Sequence, residues 1–198
     1  MIRMALVLAA ASATPALAFD ADDLAALVDG RSCLGCDLSD ADFTGADLDE
    51  VYATYGDFTG ANFAGISMTA AFLPLTKIGG ADFTGANAAG AIFSTAAGEA
   101  PDFSEAQLQA ASFSGAILYG AIFDGADLTG AQIAGANLRG ASFVGADLTG
   151  ANLRSTLLRE SDLTDANLTG ADTEGTSMTG AILCRTIMTD GAQDDSGC

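Results

Sequence analysis

Residues 121–155 read AIFDG ADLTG AQIAG ANLRG ASFVG ADLTG ANLRS. Seven units of five follow one another without a gap, each with a small first residue and a large apolar third residue. A helix repeats near 3.6 residues and a strand repeats at 2, so a period of five fits neither. Glycine at this frequency would also melt a helix. Working outward from this stretch, the register runs from Leu38 to Met188. That gives 31 central positions, of which 27 are Leu, Phe, Met or Ile. The four exceptions are Ala53, Ala88, Gly98 and Thr173. Two residues before the centre the chain is usually Ala, in 21 of the 30 positions from Ala41 to Thr186. Two residues after it, Gly dominates: 19 of the 24 glycines fall at numbers divisible by five.

One large and one small residue recurring every fifth position describe one side of a polygonal coil. Phenylalanine tells how many sides there are. Phe43, Phe63, Phe83, Phe103, Phe123 and Phe143 are each twenty residues apart, which is four units of five. They are expected to stack in one inner column, continued by Leu163 and Leu183. The chain is therefore read as a solenoid with four sides per coil.

The pattern resembles the pentapeptide-repeat family, whose unit is A-(D/N)-L-x-x. The likeness runs from Cys36 to about Met188 and implies an all-β solenoid, a right-handed, quadrilateral parallel β-helix of about eight coils. Val51–Tyr55, Ile66–Gly80 and Ala96–Pro101 depart from the unit but keep the count of five. Each coil then buries about four large side chains, each contributing ~1.5–3 kcal/mol on full burial. Those gains offset chain ordering only because neighbouring coils stack. Asp and Asn just before the centre, such as Asp42, Asp82 and Asp147, are placed to bond nearby backbone.

The ends of a solenoid need caps. Residues 1–18, MIRMALVLAAASATPALA, read as a signal peptide: Arg3, an apolar stretch, and Ala-Leu-Ala before Phe19. That stretch is short of the ~20 residues a membrane anchor needs. Loss of the leader leaves a net charge of −20 against −19 for the full chain. Residues 19–35 form an N-terminal cap. Phe19–Gly30 should be a short helix with Asp20 as N-cap and Leu24, Leu27 and Val28 covering the first coil. Cys33 and Cys36 open the repeat, and Cys184 and Cys198 bracket the end, with residues 189–198 as a tail. Eight coils separate the pairs far beyond the ~7 Å reach of a disulfide. Cys33–Cys36 and Cys184–Cys198 are the expected bridges, and they suit an exported, periplasmic or secreted chain. A redox role for the C-x-x-C is the alternative, but only Arg31 is near to stabilise a thiolate.

No histidine is present, which excludes Ser-His-Asp chemistry and His-ligated metals. No catalytic or cofactor set stands out, and convex rods offer few pockets, so the protein is read as non-enzymatic. Seven basic residues do not make a nucleic-acid surface. Nothing after the leader is apolar enough to span a membrane. The outward column Tyr52, Phe72 and Ile92, with Tyr55 and Leu75 close in phase, is the candidate partner-binding strip. Its occupant is an unidentified protein or a second copy; the bland alternative is a bulge folded over the coil. A separate reading comes from the resemblance, since the family includes acidic rods that mimic duplex DNA and bind topoisomerases.

Overall fold

The computed structural model describes residues 19–198; the expected leader over 1–18 lies outside the described residues. Helix α1, Ala21–Val28, starts where the sequence supplies its cap: the Asp20 carboxylate accepts from the backbone N–H groups of Asp22 (2.8 Å) and Asp23 (3.4 Å). The helix is shorter than Phe19–Gly30 because Phe19 precedes the cap and Gly30 follows the last turn. Leu27 is fully buried, and Phe19, Leu24 and Val28 pack on the same end of the core. The Asp23 carboxylate accepts from the Asp37 N–H at 2.8 Å, and Asp20 donates to the Asp37 carbonyl at 3.0 Å. These bonds tie the cap to the first coil.

From Ser32 to Ile187 the backbone forms parallel rungs between residues twenty apart: Asp42 with Asn62, Asn62 with Asp82, Asp82 with Asp102. Each coil thus has four sides, and each side contributes one rung. The Phe43 N–H donates to the Asn62 carbonyl (2.9 Å) and the Asn62 N–H to the Ala41 carbonyl (2.8 Å), so both faces of each rung are satisfied. One rung widens into strands, β1 (Ala97–Glu99) and β2 (Ile117–Tyr119), which pair in parallel.

The corners explain the period. Every residue whose number is divisible by five from Gly35 to Arg185 has a positive φ, 18 glycines and 13 other residues. At a representative corner the Ala46 N–H donates to the Phe43 carbonyl (2.8 Å) while Gly45 sits at φ 76°. A β-turn with a left-handed third residue turns the chain sharply, and glycine adopts that conformation without a Cβ clash.

The interior holds the expected column. Successive rings from Phe43 to Phe143 stack with centroids 4.5–5.1 Å apart and planes within 8° of parallel. On the opposite wall Phe93 and Phe113 stack at 5.1 Å and meet this column edge to face. Where the inward Ala is replaced by a hydroxyl, the hydroxyl finds a carbonyl: Thr76 on Leu73 (2.8 Å), Thr156 on Ile133 (2.9 Å), Ser161 on Leu158 (2.8 Å) and Thr186 on Leu163 (2.8 Å).

The C-terminal end closes differently from the N-terminal end. Strands β3 (Thr186–Ile187) and β4 (Gln193–Asp194) pair antiparallel, so the tail folds back on the last coil. The Gly197 N–H donates to the Leu183 carbonyl at 2.7 Å. The cysteines pair as Cys33–Cys36 and Cys184–Cys198.

Candidate interaction wall

The register assigns every repeat residue to one of four walls, and acid is distributed unevenly among them. The walls containing residues 41–45, 46–50 and 56–60 each carry several Asp or Glu, with acid-free stretches no longer than three coils. The fourth wall is built from 31–35, 51–55, 71–75, 91–95, 111–115, 131–135 and 151–155, and these seven segments contain no Asp or Glu. In a chain of net charge −19, one side of the rod is free of negative side chains over most of its length.

That wall is also apolar. Tyr52, Phe72 and Ile92 form consecutive rungs, and the Tyr52 and Phe72 rings lie 5.6 Å apart. Tyr52 is 59% exposed, Tyr55 60% and Leu75 44%, while Phe72 and Ile92 are half-buried. Phe72 has a large rung neighbour on both sides, Tyr52 and Ile92, whereas Tyr52 lies between Ser32 and Phe72. The strip therefore stands outward and does not fold over the coil. Leu34, 79% exposed, extends the patch by one coil, and Pro74 lies between Phe72 and Leu75. Neither was singled out from the outward column, although Leu34, Thr54 and Pro74 are twenty apart and so share a phase.

Tyr55 and Leu75 occupy corners at φ 62° and 60°. A left-handed conformation costs an L-residue roughly 1–2 kcal/mol. Most corners avoid the cost with glycine; these two accept it and expose a large apolar side chain as well. Backbone strain and exposed apolar surface thus coincide at these two corners.

The edges of the wall carry the nearest charges. On one edge the Asp49 carboxylate accepts from Ser67 Oγ (2.6 Å) and from the Thr69 N–H (2.7 Å). Partial burial raises its pKa, but these bonds and the Arg31 charge outweigh that and hold it below the ordinary carboxylate value. Arg31 in turn donates to the backbone carbonyls of Asp47 and Asp49. On the other edge Asp57 and Lys77 pair at 2.8 Å. Burial pushes Asp57 up, and the Lys77 and Thr59 hydrogen bonds and the Lys77 charge bring it below its usual range.

Elsewhere the side chains are engaged in the coil itself. The carboxylates of Asp42, Asp82, Asp127, Asp147 and Asp162 each accept from the backbone N–H two residues on, as the sequence suggested. Thr129, Thr149 and Thr169 turn their hydroxyls onto Asp127, Asp147 and Asn167. At the far end of the acid-free wall Arg154 bridges Asp172 (3.0 Å) and Glu174 (2.5 Å), and on a neighbouring wall Arg139 meets Glu160 at 2.8 Å. No helix among the described residues is long and apolar enough to cross a membrane.

A sequence profile of the family described as Pentapeptide repeats matches the chain in eight copies, over residues 32–73, 102–140, 126–165, 141–183 and 161–190. Solved structures are also similar. QnrB1, a plasmid-mediated fluoroquinolone resistance protein, is 19% identical; the match covers 78% of this chain and 70% of that one, with a TM-score of 0.49. A pentapeptide repeat protein from the Arabidopsis thaliana thylakoid lumen is 35% identical over 52% of this chain and 69% of that one, with a TM-score of 0.37. HetL, a pentapeptide repeat protein involved in heterocyst differentiation regulation from the cyanobacterium Nostoc sp. strain PCC 7120, is 24% identical over 82% of this chain and 91% of its own, with a TM-score of 0.27. No curated protein matches the chain.

Proposed function

The chain belongs to the pentapeptide-repeat family, and from that premise we propose that it is a non-enzymatic interaction scaffold. The rod, right-handed as the family's fold implies, works outside the cytoplasm and presents its acid-free wall to a protein. One observation carries the reading: Tyr52, Tyr55 and Leu75 stand exposed on the single wall that lacks acid from residue 31 to 155. An apolar patch of this kind, bounded by polar edges, marks a protein contact more often than a catalytic site. The two cysteine pairs support an oxidising compartment.

Site-specific photocrosslinking in intact cells tests the reading. A benzophenone amino acid at Tyr55 should capture a polypeptide, whereas the same probe at the exposed Thr129 on another wall should not. Equal yields at the two positions refute it. Cell fractionation tests the compartment: full-length protein retaining Met1 in the cytoplasm contradicts export.

The second reading, an acidic rod that imitates duplex DNA for a topoisomerase, draws on the charge of −19. A duplex carries one charge per ~1.7 Å, so a mimic as long as this rod needs acid on the side it presents. Topoisomerase activity that stays unchanged at excess protein dismisses this alternative.

A further inference from the structure

Resting on the reading of this wall as a docking surface, we infer that its occupant is a second copy of the chain, packed antiparallel about a two-fold axis. The axis lies across the wall between segments 51–55 and 71–75. Isologous contacts require a patch to be complementary to itself, and the order of the coils makes this one so. Rotation about that axis sets the second coil of one copy against the third coil of the other. Tyr52 and Tyr55 then face Phe72 and Leu75 of the second copy, and Leu34 faces the Ile92 segment. All of the exposed apolar side chains of the patch are covered at once.

The edges are complementary in the same arrangement. An axis lying in the contact plane keeps each edge on its own side and reverses only its direction. Asp57 of one copy therefore lies opposite Lys77 of the other, twice over. Asp49 and Glu50 lie opposite Thr69 and Ala70, so no like charges meet on that edge. A parallel arrangement would instead bring Asp49 and Glu50 to the Asp57 edge.

The large net charge does not prevent the contact. At physiological salt, charges more than ~8 Å apart are largely screened. Repulsion is then set by groups near the contact, and this wall supplies no acid there. The other three walls each carry Asp or Glu at intervals between residues 41 and 165, and the exposed Ile117 and Tyr119 on one of them lack a comparable group of exposed apolar neighbours on consecutive coils. The patch spans four coils, ~20 Å at one strand spacing per coil. An apolar patch of this extent reaches a few hundred Å², placing the interface at the lower end of the stable class, about 1,000 Å² in total. The dimer is therefore reversible.

Analytical ultracentrifugation of the exported protein with its disulfides intact tests this. A concentration series reaching the millimolar range should show a two-chain mass, with a dissociation constant unchanged or lower at high salt. Binding to a basic protein would weaken instead. Tyr52→Ser with Phe72→Ser should return the chain to single mass. Lys77→Glu, at a mostly exposed lysine, should raise the dissociation constant about tenfold, the equivalent of ~1.4 kcal/mol. High salt should restore it. A circular dichroism spectrum of the parent's shape and a single cooperative melt well above the assay temperature establish that each variant is folded. A single-chain mass at every concentration overturns the inference. So does a two-chain mass indifferent to Tyr52 and Phe72. If the chain is monomeric yet the Tyr55 probe captures a different polypeptide, the second copy is refuted while the docking wall stands. If the probe captures nothing, the docking reading itself fails.

Discussion

Replacing Phe103 with alanine removes one ring from the middle of the inner stack. Phe103 is fully buried, with Phe83 4.5 Å above it and Phe123 5.1 Å below. Its edges meet Phe93 at 5.7 Å and Phe113 at 5.4 Å. Four aromatic partners therefore lose a neighbour, and the rungs above and below hold the coil open so that it relaxes little. Phe→Ala in a packed core costs ~3–5 kcal/mol, and aromatic pairs contribute ~0.5–1.5 kcal/mol each beyond area. The upper part of the range, about 4–5 kcal/mol, is expected. Urea denaturation followed by far-UV circular dichroism measures it, with Phe72→Ala as the comparison. Phe72 points outward on the candidate wall and should cost less than half as much. A loss below ~1 kcal/mol for Phe103→Ala, or equal losses at the two sites, refutes the account of the core as a stacked aromatic column.

Gly98→Ala should destabilise by ~1–3 kcal/mol, the range for overpacking. Its Cβ would run into the Gly79 nitrogen and lie 2.8 Å from the Ile78 carbonyl carbon, both backbone atoms that cannot step aside. A neutral Gly98→Ala in thermal melts contradicts that close approach. Tyr55→Gly should stabilise the rod by ~0.5–1 kcal/mol, because relief of the left-handed corner exceeds the added chain entropy; a clear loss of stability contradicts the strain argument. Asp42, Asp49, Asp57 and Asp127 all have pKa values held below the ordinary carboxylate value. At Asp42 the Thr44 hydroxyl bond is the main cause; at the other three, hydrogen bonds outweigh partial burial. A carboxylate whose pKa is lower folded than unfolded stabilises the fold above its unfolded value, ~3.9, and loses that stabilisation as pH falls through the folded value. The melting temperature should therefore drop as pH is taken from 5 toward 2, and a rise over that interval contradicts the assignment.

Much of the fold was legible because size is sorted along the sequence. Phe43 to Phe143 recur every twenty residues, and twenty is the observed rung spacing. Asp20 announced the helix start through its capping chemistry, and the aspartates before each centre announced their bonds to backbone. The tail hairpin was not legible: Thr186–Ile187 and Gln193–Asp194 are too short to show a strand pattern, and their pairing depends on where the last coil ends. Gly98 could be seen as an exception but not explained, since its reason is the backbone of Gly79 one coil away. On the wall, the column of Tyr52, Phe72 and Ile92 followed from the register. Their unequal exposure did not, because it depends on how each ring lies against the next.

The unbroken rungs from Ser32 onward have a consequence for how such a chain tolerates change in length. An insertion of twenty residues adds a storey and leaves every face aligned. An insertion of five keeps each corner intact yet swings everything beyond it through a quarter turn. Placed between Tyr55 and Phe72, those five residues would aim the two halves of the patch in perpendicular directions while leaving the interior well filled. Length variants of this rod are thus a means of steering its surface without disturbing its spine.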